Sequence, residues 1–209
     1  MADREKPLRK MAEAFLDLSK SISSQSAEES HQQLEVAAFS RACSLVSPLF
    51  ACLGIAFKFA KLDYVTKVDD LVEASKSIAT LRVMIDLDIE ANCVRSVGSH
   101  TRNLLRVKRG IDMVKVLFDQ IMASGENSLK GPASTAYAQV FAPHHKRIIK
   151  LAVAAGMYAL PTKDELLKKL NEDDEESAMI HMRSYVASSA PVIEYIDNLF
   201  LSKGLDINW

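Results

Sequence analysis

The stretch Leu49-Phe-Ala-Cys-Leu-Gly-Ile-Ala-Phe57-Lys-Phe-Ala-Lys-Leu-Asp63-Tyr-Val-Thr-Lys67-Val-Asp-Asp-Leu71 decides the fold. From Leu49 to Ala60 it is apolar, Lys58 aside, and carries Phe50, Phe57 and Phe59. Such a run suits a buried helix and is too short for a bilayer span, which needs roughly 20 residues. Charge then enters at helical spacing. Asp63, Lys67 and Asp70 share one face, with Tyr64, Val68 and Leu71 beside it. Further along, Arg102 and Arg106 sit four apart just before the apolar run Ile111–Met122. One face there reads Arg102, Arg106, Gly110, Met113, Leu117, cationic at first and then apolar. Three cations and one carboxylate thus stand where apolar helices end, which suits an anionic headgroup with hydrocarbon tails.

The chain of 209 residues has room for a substantial core. Its 26 lysines and arginines against 27 aspartates and glutamates leave a net charge of -1. That argues against a general polycation, so nucleic acid is not an expected partner and any anion site must come from local clustering. Cys43, Cys52 and Cys93 are odd in number and widely spaced, forming neither a disulfide framework nor a CxxC metal site. No metal and no cofactor are expected, and a reducing, cytoplasmic setting fits best. The other long apolar run, Leu151–Leu160, is also too short to span a bilayer. Alanine at position 2 excludes myristoylation, and no prenylation box is present. Membrane contact is expected to be reversible and peripheral.

With seven glycines and six prolines, punctuation is sparse, and no convincing period-two alternation occurs. The expectation is an all-α, two-layer sandwich of about eight helices, one domain over residues 1–209, acting as a monomer. The helices are placed at 7–22, 33–60 with a bend near Pro48, 63–77, 79–97 ending at Gly98, 99–123, 134–158 with Pro143 inside, and 162–170, followed by a last helix after the acidic run 172–176. A polar linker is expected over 23–31, and a surface loop over 124–132. Thr162 with Glu165 has a capping-box pattern. The acidic run suits the positive end of the last helix's dipole.

Each constellation has a plain reading beside the functional one. Arg102 and Arg106, with Lys108 and Arg109 nearby, suit a solvated face as well as a forked phosphate or carboxylate clamp. Asp63 and Lys67 suit a surface ion pair worth a few tenths of a kcal/mol. Equally, Asp63 could accept from an amide and a hydroxyl together while Lys67 offers a point charge to an anion. His145 falls on a stripe with Phe141, Ile148 and Ala152, where a core histidine is the simplest reading. His144 and His145 are adjacent and diverge on a helix, so they do not make a joint metal site. HExxH, GxSxG, a P-loop and GxGxxG are absent, and an enzyme is not expected. A helical module reading a phosphorylated partner, a lipid sensor, and a hydrolase using His145 and Asp63 remain as alternatives.

Three separated segments resemble the glycolipid transfer protein superfamily: Leu49–Leu71, Thr101-Arg102-Asn-Leu-Leu-Arg106-Val-Lys-Arg-Gly110, and Tyr137-Ala-Gln-Val-Phe-Ala-Pro-His-His145. The likeness runs from about Pro7 to Trp209. It is strongest to plant members that carry ceramide-1-phosphate and are linked to programmed cell death. It implies lipid transport by an all-helical sandwich whose headgroup site opens into a hydrophobic chamber. It also implies that Asp63 binds the sphingoid amide and hydroxyl and His145 the acyl carbonyl. Glycolipid-specific members have tryptophan where this chain has Arg106 and asparagine where it has Lys67. Both replacements add positive charge and point to a phosphate. Lys67, Arg102 and Arg106 supply +3 against about -1.5 to -2 for a phosphomonoester and -1 for Asp63, so the filled site would be close to neutral.

The implied function is non-vesicular transfer of ceramide-1-phosphate between membranes. Phe50, Leu53, Phe57, Leu105, Met113, Leu117, Phe141, Ile148 and Val153 are the expected pocket lining. Relatives commonly place a tryptophan two positions after the motif histidine; here that residue is Arg147. Lys146, Arg147 and Lys150 are therefore expected to dock electrostatically on an anionic membrane surface.

Overall fold

The computed structural model describes residues 6–24, 33–54 and 57–209. Ten α-helices form among them: α1 (Pro7–Ser24), α2 (Val36–Ser44), α3 (Ser47–Cys52), α4 (Lys58–Ala74), α5 (Leu81–Glu90), α6 (His100–Ala123), α7 (Lys130–Val140), α8 (Arg147–Gly156), α9 (Lys163–Lys169) and α10 (Glu175–Ser202). Two 3-10 turns, Ala142–His144 and Met157–Ala159, flank α8. Among the described residues there are no strands, only the isolated bridges Glu35–Thr80 and Ser128–Thr162.

Helix starts follow local chemistry. Ser99 caps α6 by accepting the Arg102 amide, and Asp174 caps α10 by accepting from Ser177. Thr162 and Glu165 form the expected capping box on α9. Three expected helices are broken or shortened. The 33–60 helix is divided because Pro48 enters at the start of α3 and Gly54, at φ +92°, stops it. α4 therefore begins at Lys58, so Asp63 and Lys67 lie inside a helix. The 79–97 helix ends at Glu90, where Asn92 takes the left-handed conformation at φ +52°. The 134–158 helix breaks around Pro143 into α7, a 3-10 turn and α8. From residue 25 onward, the expected linker over 23–31 lies outside the described residues.

α6 is the helix on which the others converge, with α4, α5, α7 and α10 packed against it. α1 packs on α10 and α2, and α2 on α4, closing a circuit around one core. Tyr185 of α10 sits at the centre. Its ring meets Phe15 of α1 at 4.9 Å and Phe118 of α6 at 5.5 Å, and its hydroxyl donates to the Ile111 carbonyl at 3.3 Å. Both phenylalanines are fully buried, each worth about 1.5–3 kcal/mol relative to exposure. This packing makes α6 a rigid base for the arginines at its N-terminal end.

Candidate functional site

The site begins where α4 crosses α6. Tyr64 lies on Gly110, where a β-carbon would come within 2.6 Å of ring atom Cε2, so the glycine is a requirement of close approach. The ring is pinned: its hydroxyl donates to the Cys43 carbonyl at 3.0 Å, and Phe50 lies 5.0 Å away. Farther along α4, the Asp70 carboxylate accepts from His100 Nδ1 and Asn103 Nδ2, both at 2.9 Å. Rising numbers on α4 meet falling numbers on α6, so the helices run antiparallel. This register brings Asp63 toward Arg106.

Asp63 links the group. Lys67 Nζ bonds to its carboxylate and, at 3.1 Å, to its backbone carbonyl. The Lys67 side chain is 13% exposed and that of Asp63 66% exposed. The lysine is tucked in, while the carboxylate keeps acceptor capacity toward solvent. Burial and the neighbouring Arg102 lower the pKa of half-buried Arg106, and Asp63 opposes them. Two like charges four apart on one helix repel. An anion seated between them would relieve that repulsion.

His145 enters from the bend after the 3-10 turn, not from a helix as its spacing implied. Its Nδ1 hydrogen-bonds the Tyr137 hydroxyl at 2.9 Å, and its ring stacks on Phe141 at 5.6 Å. Burial and then Arg106 push its pKa down, Asp63 pulls the other way, and Arg109 and Lys150 add to the lowering. Burial thus favours the neutral imidazole. The bond to Tyr137 occupies Nδ1 and leaves Nε2 as the ring nitrogen that faces a ligand, able to donate to a carbonyl in the tautomer that carries its hydrogen there. The structure thus brings Asp63, Lys67, Arg102, Arg106 and His145 together from α4, α6 and the α7–α8 bend. Among the described residues, no cluster of three or more histidines, cysteines or acids could hold a metal ion.

The expected pocket residues divide. Phe50, Leu53, Leu105, Met113 and Leu117 are buried in the continuous core, and Phe57, Phe141 and Val153 pack partly buried against it. Ile148 corrects the reading: it is 76% exposed on the outside of α8, because the break at Pro143 reorients everything after it. No residue of α8 is buried. Lys146, Arg147 and Lys150 are exposed there, as are Ile149 and Leu151, while Phe59 and Leu62 are exposed near Asp63 on α4. A cleft of about 550 Å³ beside Ile89 and Arg95 and another of about 270 Å³ beside Asp164 and Glu172 contain none of the pocket residues. Among the described residues, no helix is long and apolar enough to cross a membrane.

Sequence reasoning missed the supports. Tyr137 orients His145, and Tyr64 on Gly110 sets the helix crossing. Both tyrosines lie inside the motif segments, so position pointed to them, but nothing in their spacing revealed their partners.

The family model described as Glycolipid transfer protein matches residues 34–172. Accelerated cell death 11 of Arabidopsis thaliana is 66% identical over the whole of both chains. A crystal structure of an aspartate-to-asparagine mutant of that protein, complexed with C12 ceramide-1-phosphate, superposes with a TM-score of 0.94 at 64% identity, over 99% of this chain and 100% of that one. Human ceramide-1-phosphate transfer protein, complexed with 12:0 ceramide-1-phosphate, shares the fold at a TM-score of 0.77 and 17% identity, covering 93% of this chain and 96% of its own. Matched along its full length in sequence and in three dimensions, the chain belongs to the glycolipid transfer protein family.

Proposed function

We propose that this protein carries ceramide-1-phosphate between membranes. The observation that carries the reading is the gathering of Asp63, Lys67, Arg102, Arg106 and His145 from three elements. Lys67, Arg102 and Arg106 bind the phosphate, the arginines through charge-assisted forks. Asp63 accepts from the sphingoid amide and hydroxyl. His145 donates from Nε2 to the acyl carbonyl. The Arabidopsis relative's complex with ceramide-1-phosphate supports the same ligand class.

The transport step is physical. An acyl chain of ~16 carbons loses about 13 kcal/mol on entering water, at about 0.8 kcal/mol per methylene. A dry apolar lining removes most of that barrier. The core residues expected to line the pocket are closed together, so the chains enter by displacing neighbours. α8, with none of its residues buried, is the element least costly to move. Its exposed isoleucines and leucine, with Lys146, Arg147 and Lys150, also make it a docking face for an anionic bilayer. Apolar insertion then accompanies the electrostatic attraction, with no tryptophan required.

Transfer of fluorescent ceramide-1-phosphate between vesicles, at protein well below lipid concentration, tests the proposal. The protein moves many lipids per molecule, and Asp63→Asn loses that activity while keeping its thermal melt. Unchanged transfer by the variant removes Asp63 from the site. Binding without turnover makes the protein a sensor instead.

A further inference from the structure

Arg109 follows Arg106 by three positions on α6 and is buried. Its Nη2 donates to the backbone oxygens of Ile207 and Trp209, both at 2.7 Å. These oxygens belong to a short segment after α10 that is braced internally. Asp206 Oδ1 accepts from the Asn208 amide at 2.8 Å and from its side chain at 3.0 Å, and the Asp206 carbonyl accepts from the Trp209 indole. The Arg95 guanidinium, from the turn between α5 and α6, lies 5.2 Å from the Trp209 ring centroid. Leu205, Ile207 and Trp209 pack against the core. On its other side the segment reaches the α7–α8 bend, where the Asn208 backbone lies close enough to bear on the His144 imidazole.

We propose, resting on the lipid-binding reading above, that residues 206–209 are a positioning clasp that holds His145 at a set distance from the arginines of α6. His145's own fastenings, Tyr137 and Phe141, belong to α7 and its end, so they orient the ring relative to α7. The bend itself has left the helix and needs an outside tie. The Arg109 bonds to Ile207 and Trp209, with the Asn208 backbone set against His144, make that tie from α6 to the residue preceding His145. Arg109 is therefore a positioning residue whose Nη2 is committed to the clasp, and the phosphate meets Lys67, Arg102 and Arg106.

Trp209→Ala tests this, because it loosens the clasp while leaving every cation in place. Calorimetric titration compares short-chain ceramide-1-phosphate with sphingosine-1-phosphate, which has the same phosphate but no acyl carbonyl for His145. Ceramide-1-phosphate is expected to bind about 3- to 10-fold more weakly, the loss of roughly one neutral hydrogen bond, with sphingosine-1-phosphate unchanged. Arg109→Ala is expected to show the same split, and Arg109→Lys, which keeps donors for both backbone oxygens, to recover most of it. Equal loss of both lipids, or loss of neither, overturns the clasp. So does loss of both lipids by Arg109→Ala with Trp209→Ala unaffected, which makes Arg109 a phosphate ligand. Should the parent protein bind neither lipid, the lipid reading fails and the clasp is judged separately by NMR. The His145 imidazole signals must shift in Trp209→Ala while those of His181, remote on α10, stay; unmoved His145 signals overturn it.

Discussion

Gly110→Ala tests whether the α4–α6 crossing sets the geometry of the headgroup site. The new β-carbon would lie 2.6 and 2.7 Å from Tyr64 Cε2 and Cδ2, against roughly 3.5–4.0 Å for an optimal carbon pair. Tyr64 cannot swing aside, because its hydroxyl is tied to Cys43 and its ring lies against Phe50. Relief must come from separating the helices by about 1 Å. Overpacking of this kind costs about 1–3 kcal/mol, and alanine regains about 1 kcal/mol of helix propensity. The net loss is about 0–2 kcal/mol, or a Tm lowered by up to about 8 °C at 2–4 °C per kcal/mol. The same separation draws Asp63 away from Arg106, so a lipid touching both loses roughly one charge-assisted bond, about 1.5–3 kcal/mol, and transfer falls about tenfold or more. Thermal melts and vesicle transfer are measured on the parent background and with Tyr64→Leu, which removes the ring. On the second background Gly110→Ala becomes neutral or stabilising. A raised Tm with unchanged transfer, or the same penalty on both backgrounds, refutes the reasoning.

Three further outcomes are expected. Arg106→Ala weakens ceramide-1-phosphate binding by about 1.5–3 kcal/mol but leaves a neutral ceramide nearly unaffected; equal losses in a competition assay exclude a phosphate role. His144 and His145 are both held below the ordinary histidine value of 6.5, burial being the main cause. The unfolded chain therefore binds protons more readily, so stability falls as pH drops below about 6.5 and is regained above it; urea midpoints that are flat or rise toward lower pH contradict the lowered values of the two half-buried rings. Ile148→Ser with Leu151→Ser slows transfer without lowering soluble binding, and added salt slows the parent through screening of Lys146, Arg147 and Lys150. Transfer rates indifferent to both changes place the docking face elsewhere.

Where the sequence misplaced helices, the cause was local backbone chemistry outvoted by an apolar pattern. Periodicity continued through Gly54 and through Pro143, so the expected helices did too. In the folded chain a left-handed glycine and a proline that cannot donate end them. The second break matters most for the site. It takes His145 out of a helix, turns its ring onto Tyr137, and exposes Ile148, which helical spacing had put inside.

What the chain's letters settled was residue type and spacing: all-helical architecture, the acidic and basic doublets, the capping box of α9, and a charge pattern suited to phosphate. Helical period and side-chain chemistry are local properties, so they are legible in one dimension. Tertiary structure alone decided which faces meet. Gly110 and Tyr64 are 46 residues apart, and Arg109 and Trp209 are 100 apart; no local pattern records either contact. The antiparallel register of α4 on α6, the tie from α6 to the histidine bend, and the exposure of α8 all arise from packing between distant segments, where shape complementarity selects among faces of similar composition.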